Sequence, residues 1–166
     1  MSEERDGALW AEVEEAVELL HEERFHEALA ELHRVLKEDP KNYYAYHYLG
    51  VAMYEVGELQ GSRDALRACT TLAPRYLGAS VAYANVLREL EQPDEALKEA
   101  KRALEMAPDD ADVLHAMGMA CIAVGDRIQG RRYLNAFLAK KPEFEVGVEV
   151  QGILSSLDAE AANRPN

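Results

Sequence analysis

Cysteine is scarce in this chain: Cys69 and Cys121 are the two among 166 residues, and they lie far apart in the sequence. Such a pair supplies neither a disulfide framework nor the ligand spacing of a metal site, so we expect a reduced, cytoplasmic protein. No apolar run approaches the ~18–20 residues that cross a bilayer. The opening MSEERDGALW carries acids where a signal peptide has basic residues. The sequence therefore predicts no membrane insertion.

Positive charge is also in short supply. The chain has 18 Lys and Arg residues against 31 Asp and Glu residues, a formal net charge of −13 at pH 7. This charge repels the phosphates of nucleic acids and the headgroups of anionic membranes. We therefore expect neither of them to be a partner.

Motifs for catalysis are missing as well. We find no glycine-rich phosphate loop, no nucleophile with a base at a recognisable spacing, and no metal-binding pattern. His26 and His33 are seven residues apart and could share one helix face, but two ligands alone make a weak metal site. The sequence thus predicts a protein that is not an enzyme and that holds no cofactor and no metal.

Proline is rare, with six residues, but four of them are evenly spaced. The series, with an interval of 34 residues each time, is Pro40, Pro74, Pro108 and Pro142. Twelve residues before each proline stands a small side chain that would let two helices approach closely: Ala28, Ser62, Ala96 and Gly130. A period of this length indicates an array of four repeated structural units.

Each unit contains two amphipathic helices joined by a turn. In the first unit the 3.6-residue period places five apolar side chains on one face of a single helix: Leu9, Val13, Ala16, Val17 and Leu20. Gly57 and Gly125 stand where the first helices of units two and four end, in a conformation that glycine favours. Pro93 opens the second helix of unit three.

These residues resemble the tetratricopeptide repeat family. The similarity is clearest in AYHYLGVAMYEVGEL of unit two, with Tyr46 in the usual tryptophan column followed by Leu49 and Gly50, and it spans about residues 8–142. Unit one departs most, since Glu12, Glu15 and Glu23 occupy columns that the family fills with Trp, Leu and Gly. The resemblance implies an all-α fold, a right-handed superhelix of four helical hairpins with a C-terminal capping helix.

The expected domain covers residues 8–158. Its repeats run over about 9–42, 43–76, 77–110 and 111–144, and a capping helix follows at about 144–158, with an N-terminal tail at 1–7 and a C-terminal tail at 159–166. The capping helix would carry Val146, Val150, Ile153, Leu154 and Leu157 at helical spacing. Such a cap covers the apolar face that the last repeat would otherwise expose.

The resemblance also implies that the first helices of successive repeats line a concave groove in which ligands lie. Fourteen residues occupy the groove columns of this sequence: Trp10, Val13, Val17, Tyr44, His47, Tyr48, Val51, Tyr54, Val81, Asn85, Arg88, His115, Met119 and Ile122. Tyr44, Tyr48 and Tyr54 are expected to be exposed there, whereas packing between helices is the better explanation of Val51. Asn85 and Arg88, one helical turn apart, could bind the backbone or a carboxylate of a bound peptide.

Some family members hold the acidic tail of heat-shock chaperones with a clamp of Lys, Asn and Arg. The matching columns here contain Val13, Val17, Tyr48, Gly78 and Ala82. Because none of these residues is basic, the sequence does not predict chaperone-tail binding. An apolar or amphipathic segment of a partner protein, extended or helical, suits the groove better.

Three functions are compatible with this sequence. The first is a protein-interaction adaptor, a monomer or weak homodimer, that holds a peptide or apolar segment of a partner protein. The second is a secretion chaperone, since the chain is similar in size and acidity to the chaperones of type III secretion translocators. The third is a structural protein that assembles with itself through its first unit or its final helix.

Overall fold

The structure is a computed structural model, and it describes residues 3–163. Over these residues the chain forms ten helices and no strand. In chain order they are α1 (Glu3–Ala11), α2 (Glu14–His21), α3 (Phe25–Glu38), α4 (Tyr43–Glu55), α5 (Leu59–Leu72), α6 (Leu77–Glu89), α7 (Pro93–Met106), α8 (Ala111–Ala123), α9 (Arg127–Ala139) and α10 (Phe144–Ala162). The all-α fold predicted from the sequence is confirmed.

The helices are arranged as four successive hairpins. α2 packs on α3, α4 on α5, α6 on α7 and α8 on α9, and each second helix also contacts the first helix of the next hairpin. The first helices are neighbours as well, since α2 contacts α4, α4 contacts α6 and α6 contacts α8. This is the connectivity of a right-handed superhelix of repeated helix pairs.

Small side chains allow the two helices of each hairpin to approach closely. Ala28, Ser62 and Ala96 are completely buried, and Gly130 is also buried. In the second hairpin the Ser62 hydroxyl donates a hydrogen bond to the carbonyl of Gly50 at 2.6 Å. The 34-residue series of small residues therefore marks the crossing point of the paired helices, as the sequence predicted.

Both glycines predicted to end a first helix do so. Gly57 and Gly125 have φ angles of 82° and 86°, and each follows the last residues of its helix. The same column in the other two repeats holds glutamate, and Glu23 and Glu91 adopt φ angles of 58° and 56°. The repeat thus keeps a left-handed turn residue even where the side chain disfavours that conformation.

The beginning of the chain differs from the expectation. The single first helix predicted for repeat one is divided into α1 and α2, because the chain makes a tighter turn at residues 12–13, where the Val13 N–H donates to the Trp10 carbonyl at 3.0 Å. The helix α1 begins at Glu3, inside the segment 1–7 that was expected to be a tail. Asp6 holds this turn of helix by accepting hydrogen bonds from the hydroxyls of Tyr43 and Tyr44.

The last helix caps the array. Val150 and Leu157 of α10 are buried, with exposures of 0% and 7%, while Val146 is exposed. Ile153 and Leu154 pack against the core of the fourth hairpin. The helix continues to Ala162, beyond the expected end at residue 158, so that part of the expected tail 159–166 is helical. Residues 1–2 and 164–166 of the two expected tails lie outside the described part of the chain.

Candidate functional site

A cavity of about 280 Å³ lies between the first helices of repeats two, three and four. It brings together five of the fourteen residues predicted to line the groove: Val51, Tyr54, Asn85, Arg88 and His115. The other lining residues are Gly50, Ser62, Leu66, Ala82 and Val86, so α5 closes the floor between α4 and α6. We call this set the groove cavity.

The walls of the groove cavity are mainly apolar, and its polar lining includes Tyr54, Asn85, Arg88 and His115. Tyr54 is the most exposed of them, at 39%. Asn85 is half-buried and is separated from Arg88 by one turn of α6. An apolar cavity with a few convergent polar groups is the usual form of a binding site.

Arg88 has an unusual hydrogen-bonding state. Its Nη2 donates to Oε1 of Glu89 at 2.7 Å, and 29% of its side chain is exposed. Its Nε is buried and has no hydrogen-bond partner among the described residues. Buried donors of this kind normally have an acceptor, and the Nε–H of Arg88 is a donor without one in the described part of the chain.

His115 lies on the α8 side of the groove cavity. Burial, and then the positive charge of Arg88, lower the pKa of its imidazole from the ordinary value. The ring is therefore neutral at pH 7 and packs 5.0 Å, centroid to centroid, from Phe137. Arg88 consequently provides the positive charge of this site.

The aromatic residues predicted for the first part of the groove pack against one another. The Trp10 ring lies 5.3 Å from Tyr44 and 5.9 Å from Tyr48, both nearly edge-on. His47 lies 4.9 Å from Tyr48 and 5.1 Å from Tyr76. Edge-to-face contacts at these distances are stabilising. Tyr44 and Tyr48 are therefore half-buried and connect α1 and α4, whereas Tyr54 is the exposed tyrosine of the three.

His47 sits inside this aromatic cluster. Burial lowers the pKa of its imidazole to about 4, so the ring is neutral at physiological pH. Its Nδ1 has no hydrogen-bond partner among the described residues. His47 therefore packs as a neutral ring among aromatic side chains, and protonation of this ring would disfavour the folded state.

Two predicted groove residues belong to the core instead. Val13 is completely buried and Val17 is 9% exposed, and both pack with Leu32 and Leu49 between the first two repeats. Val13 lies at the turn that separates α1 from α2, and Trp10 packs against the same cluster. Val13 is therefore unavailable to a partner, and Val17 borders only a shallow depression beside Tyr48.

The remaining predicted residues, Val81, Met119 and Ile122, do not line the groove cavity. Val81 is half-buried on α6. Met119 and Ile122 are half-buried on α8 and pack against the core formed with α9 and α10. The structure thus gathers Val51, Tyr54, Asn85, Arg88 and His115 of the predicted groove in one cavity. Tyr44 and Tyr48 of repeat two pack instead with Trp10 of the first repeat, and His47 packs against Tyr48.

Sequence analysis missed Tyr43, Tyr76 and Asp6 in the aromatic region. Tyr43 is 6% exposed and its ring lies 5.5 Å from that of Tyr76. Tyr76 precedes α6 and lies outside every helical pattern, so periodicity gave no signal for it. Ala82 and Leu66 stand in apolar columns of the repeat, but the sequence does not show that the two side chains line the same cavity.

Within residues 3–163, no three His, Cys, Asp or Glu side chains are grouped as ligands for a metal ion. None of the helices that the structure describes is both long enough and apolar enough to span a bilayer.

Comparisons with known proteins agree with this architecture. Two sequence models of the tetratricopeptide repeat match residues 19–76 and 77–120. No curated protein matches the chain. Among solved structures, TTC0263, a thermophilic tetratricopeptide repeat protein of Thermus thermophilus, has a TM-score of 0.73 at 21% identity, and the match covers 92% of this chain and 82% of that chain. MamA has a TM-score of 0.71 at 20% identity, with 80% and 78% covered.

A third similar structure is the first tetratricopeptide domain of Spaghetti (RPAP3) bound to the HSP90 peptide SRMEEVD. Its TM-score is 0.67 at 16% identity, with 70% of this chain and 93% of that chain covered. Fold, repeats and groove define this protein as a helical solenoid of the kind that serves as a scaffold for protein–protein interaction. The chain belongs to the tetratricopeptide repeat family.

Proposed function

We propose that this chain is a non-catalytic adaptor that holds a segment of a partner protein in its groove. The observation that carries the proposal is the groove cavity, which combines Val51 and Tyr54 of repeat two with Asn85 and Arg88 of repeat three. A site built from several repeats binds a ligand that runs across these repeats, as an extended or helical peptide does. Because the helices are already ordered, the receptor loses little conformational entropy on binding.

The size of the groove cavity favours one inserted side chain over a whole small molecule. Its volume of about 280 Å³ lies just below the range of roughly 300–1,000 Å³ that small-molecule sites occupy. Tyr54 at its rim offers a rigid apolar contact with a polar end, which is typical of residues that dominate binding energy.

The structurally similar domain of Spaghetti holds an acidic chaperone peptide, but this chain would use different residues for a partner. Val13, which occupies the first clamp column, is completely buried, and Tyr48 is half-buried among other rings. A partner segment therefore meets Tyr54, Asn85 and Arg88 in place of a clamp of basic residues. A secretion chaperone that shields an apolar client segment would use the same cavity.

We also place the adaptor in a reducing compartment such as the cytoplasm. Cys69 and Cys121 are free thiols with exposures of 0% and 3%. Burial raises the pKa of the Cys69 thiol to about 12. Both thiols thus act as small apolar core residues that need no oxidation.

An affinity capture from cell extract, followed by mass spectrometry, tests the adaptor function. The variant is Tyr54→Ala with Asn85→Ala, because replacing Tyr48 would disturb the contact between α1 and α4 as well. Leu72→Ala is a matched control, since Leu72 and Tyr54 are both 39% exposed and Leu72 lies in a separate depression. We expect a protein that wild type and the control retain and that the double variant loses. Equal recovery by all three would refute the groove as the receptor site.

A further inference from the structure

We infer that the groove cavity selects a partner segment in which an apolar side chain stands next to a carboxylate, with Arg88 as the residue that reads the acid. This inference rests on the proposed adaptor function and specifies the chemistry of its ligand. It differs from the chaperone-tail clamp of the family, because the arginine column of that clamp holds Ala82 in this chain.

The apolar part of the ligand is indicated by the walls of the groove cavity. Val51, Leu66 and Val86 surround it from three helices, and Ala82 leaves the space open. Filling this space removes apolar surface from water on both sides. With a volume near the lower limit for ligand pockets, the groove cavity takes one side chain of the size of leucine or phenylalanine.

The acidic part is indicated by the guanidinium of Arg88. Glu89 accepts from Nη2 alone, while the buried Nε has no partner among the described residues. A carboxylate binds the Nε and Nη2 edge of a guanidinium with two parallel hydrogen bonds. Because Nε is buried, a ligand carboxylate reaches this edge by taking the place of Glu89 at Nη2.

The remaining polar residues support this assignment. Among the residues described as lining the groove cavity, Arg88 carries the formal charge, because the lowered pKa of His115 keeps its imidazole neutral at pH 7. Asn85 lies one turn before Arg88 on α6 and offers both a donor and an acceptor. Its amide suits the backbone of the segment between the apolar side chain and the acid.

Glu89 acts as an internal competitor of the ligand. It is partly exposed, with 37% of its side chain accessible, and its carboxylate is paired with Arg88. A ligand carboxylate displaces it into solvent at little cost. The two neighbours therefore affect acid binding in opposite directions: removing the charge of Arg88 weakens it, and removing the charge of Glu89 strengthens it.

A display library of random 12-residue peptides, panned on purified full chain, tests the inference. Peptides selected by wild type are resynthesised as Glu and Gln versions, and their Kd values are compared by fluorescence polarisation. We expect wild type to prefer the Glu version by about 10-fold or more. Arg88→Gln should lose this preference and still bind the apolar side chain, whereas Glu89→Gln should enlarge it.

Arg63→Gln is the matched control for Arg88→Gln. Arg63 pairs with the adjacent Asp64 at 3.0 Å and is 28% exposed, against 29% for Arg88, but it does not line the groove cavity. The Arg63 variant should keep the preference for the Glu version. Two results would overturn the inference and leave the adaptor function standing. In the first, peptides whose binding needs Tyr54 show no preference for Glu over Gln; in the second, Arg88→Gln prefers the Glu version as strongly as wild type does. Peptides that bind wild type and Tyr54→Ala equally would refute both.

Discussion

Glu91 adopts, at a φ of 56°, the backbone conformation that Gly57 adopts at 82° in the preceding repeat. The two residues are separated by one period of the array, and each follows a first helix that ends in the same way. In both repeats the N–H of the following residue bonds back to the last turn of the first helix: Glu58 donates to the carbonyl of Met53, and Gln92 donates to that of Leu87. The repeat geometry therefore imposes a left-handed residue independently of its side chain.

Replacing this glutamate by glycine should stabilise the protein. A left-handed conformation costs a residue with a Cβ roughly 1–2 kcal/mol, which outweighs the larger backbone entropy of glycine in the unfolded chain. We expect Glu91→Gly to raise the free energy of unfolding by about 0.5–1 kcal/mol, and Glu23→Gly to act similarly. Urea denaturation followed by circular dichroism measures this. Lys98→Gly, at an exposed position inside α7, should instead lower stability by about 1 kcal/mol; a loss of similar size in Glu91→Gly would contradict the argument.

Two glycines in the same column should respond oppositely to alanine. A Cβ added to Gly118 would lie 2.7 Å from Cγ of Leu134 and 3.1 Å from its backbone N, which is too close for α8 and α9 to remain in place. Gly118→Ala should therefore destabilise the protein by about 1–3 kcal/mol. Gly152 occupies the equivalent position of α10, where no atom lies within 4 Å of the added Cβ. Gly152→Ala should stabilise by up to about 1 kcal/mol through helix propensity alone. Thermal unfolding of both variants decides the point; equal shifts in Tm would contradict it.

The repeated part of the fold could be predicted because each position of the repeat meets the same neighbours. The prolines and the small residues at the helix crossings recur every 34 residues, and a turn glycine stands in every second repeat, so the four hairpins follow from the period. Where the neighbours of a position differ from repeat to repeat, the period no longer predicts the structure. In the first repeat α1 ends at Ala11, and its Asp6 accepts hydrogen bonds from Tyr43 and Tyr44.

The candidate site was predictable only in part for the same reason. Helical spacing shows which residues share a face, but it does not show how deeply each one is covered. Val13 and Tyr54 belong to predicted groove columns of adjacent repeats, yet they are 0% and 39% exposed. Val13 lies in the core cluster between the first two repeats, against which Trp10 also packs. The lack of a hydrogen-bond partner at Nε of Arg88 likewise depends on side-chain geometry, and the sequence gives no signal for it.

His47 makes stability depend on pH. Burial lowers its pKa from the ordinary 6.5 to about 4. Between these values the unfolded chain binds a proton that the folded chain excludes, so the free energy of unfolding falls as the pH decreases from 6.5 to 4, by about 3 kcal/mol for this group. Above pH 6.5 the contribution is constant. His47→Phe removes the titration and keeps a ring beside Tyr48 and Tyr76.

Urea denaturation of wild type and His47→Phe at pH 7.5, 6, 5 and 4 measures this contribution as a difference. The other groups that titrate in this range, including His115, are present in both proteins and cancel. We expect the stability of the variant relative to wild type to increase steadily as the pH is lowered. A difference that stays constant from pH 7.5 to pH 4 would show that His47 binds its proton equally well in the folded and unfolded chains.

The outer surface of the first repeat carries charge in the columns that later repeats use for contact. Leu49 and Ala52 of α4 are 6% and 0% exposed and pack against the first repeat. Their equivalents one period earlier are Glu15 and Glu18, which are exposed and line an open depression with Arg24 and Arg34. A surface of this kind prevents a further repeat, or the end of a second copy, from stacking there.

Glu15→Leu with Glu18→Ala should therefore make the chain self-associate. The two substitutions restore the apolar columns and expose a surface that resembles an internal repeat interface, so we expect the mean mass from light scattering to increase with concentration between about 1 and 100 μM. Wild type should remain a monomer or a weak dimer over this range. Glu95→Leu with Glu105→Ala removes the same charge from exposed positions on α7 and controls for net charge. Equal association of both double variants would mean that reduced repulsion is the cause, whereas association confined to the α2 variant would identify the two glutamates as the residues that keep this surface from stacking.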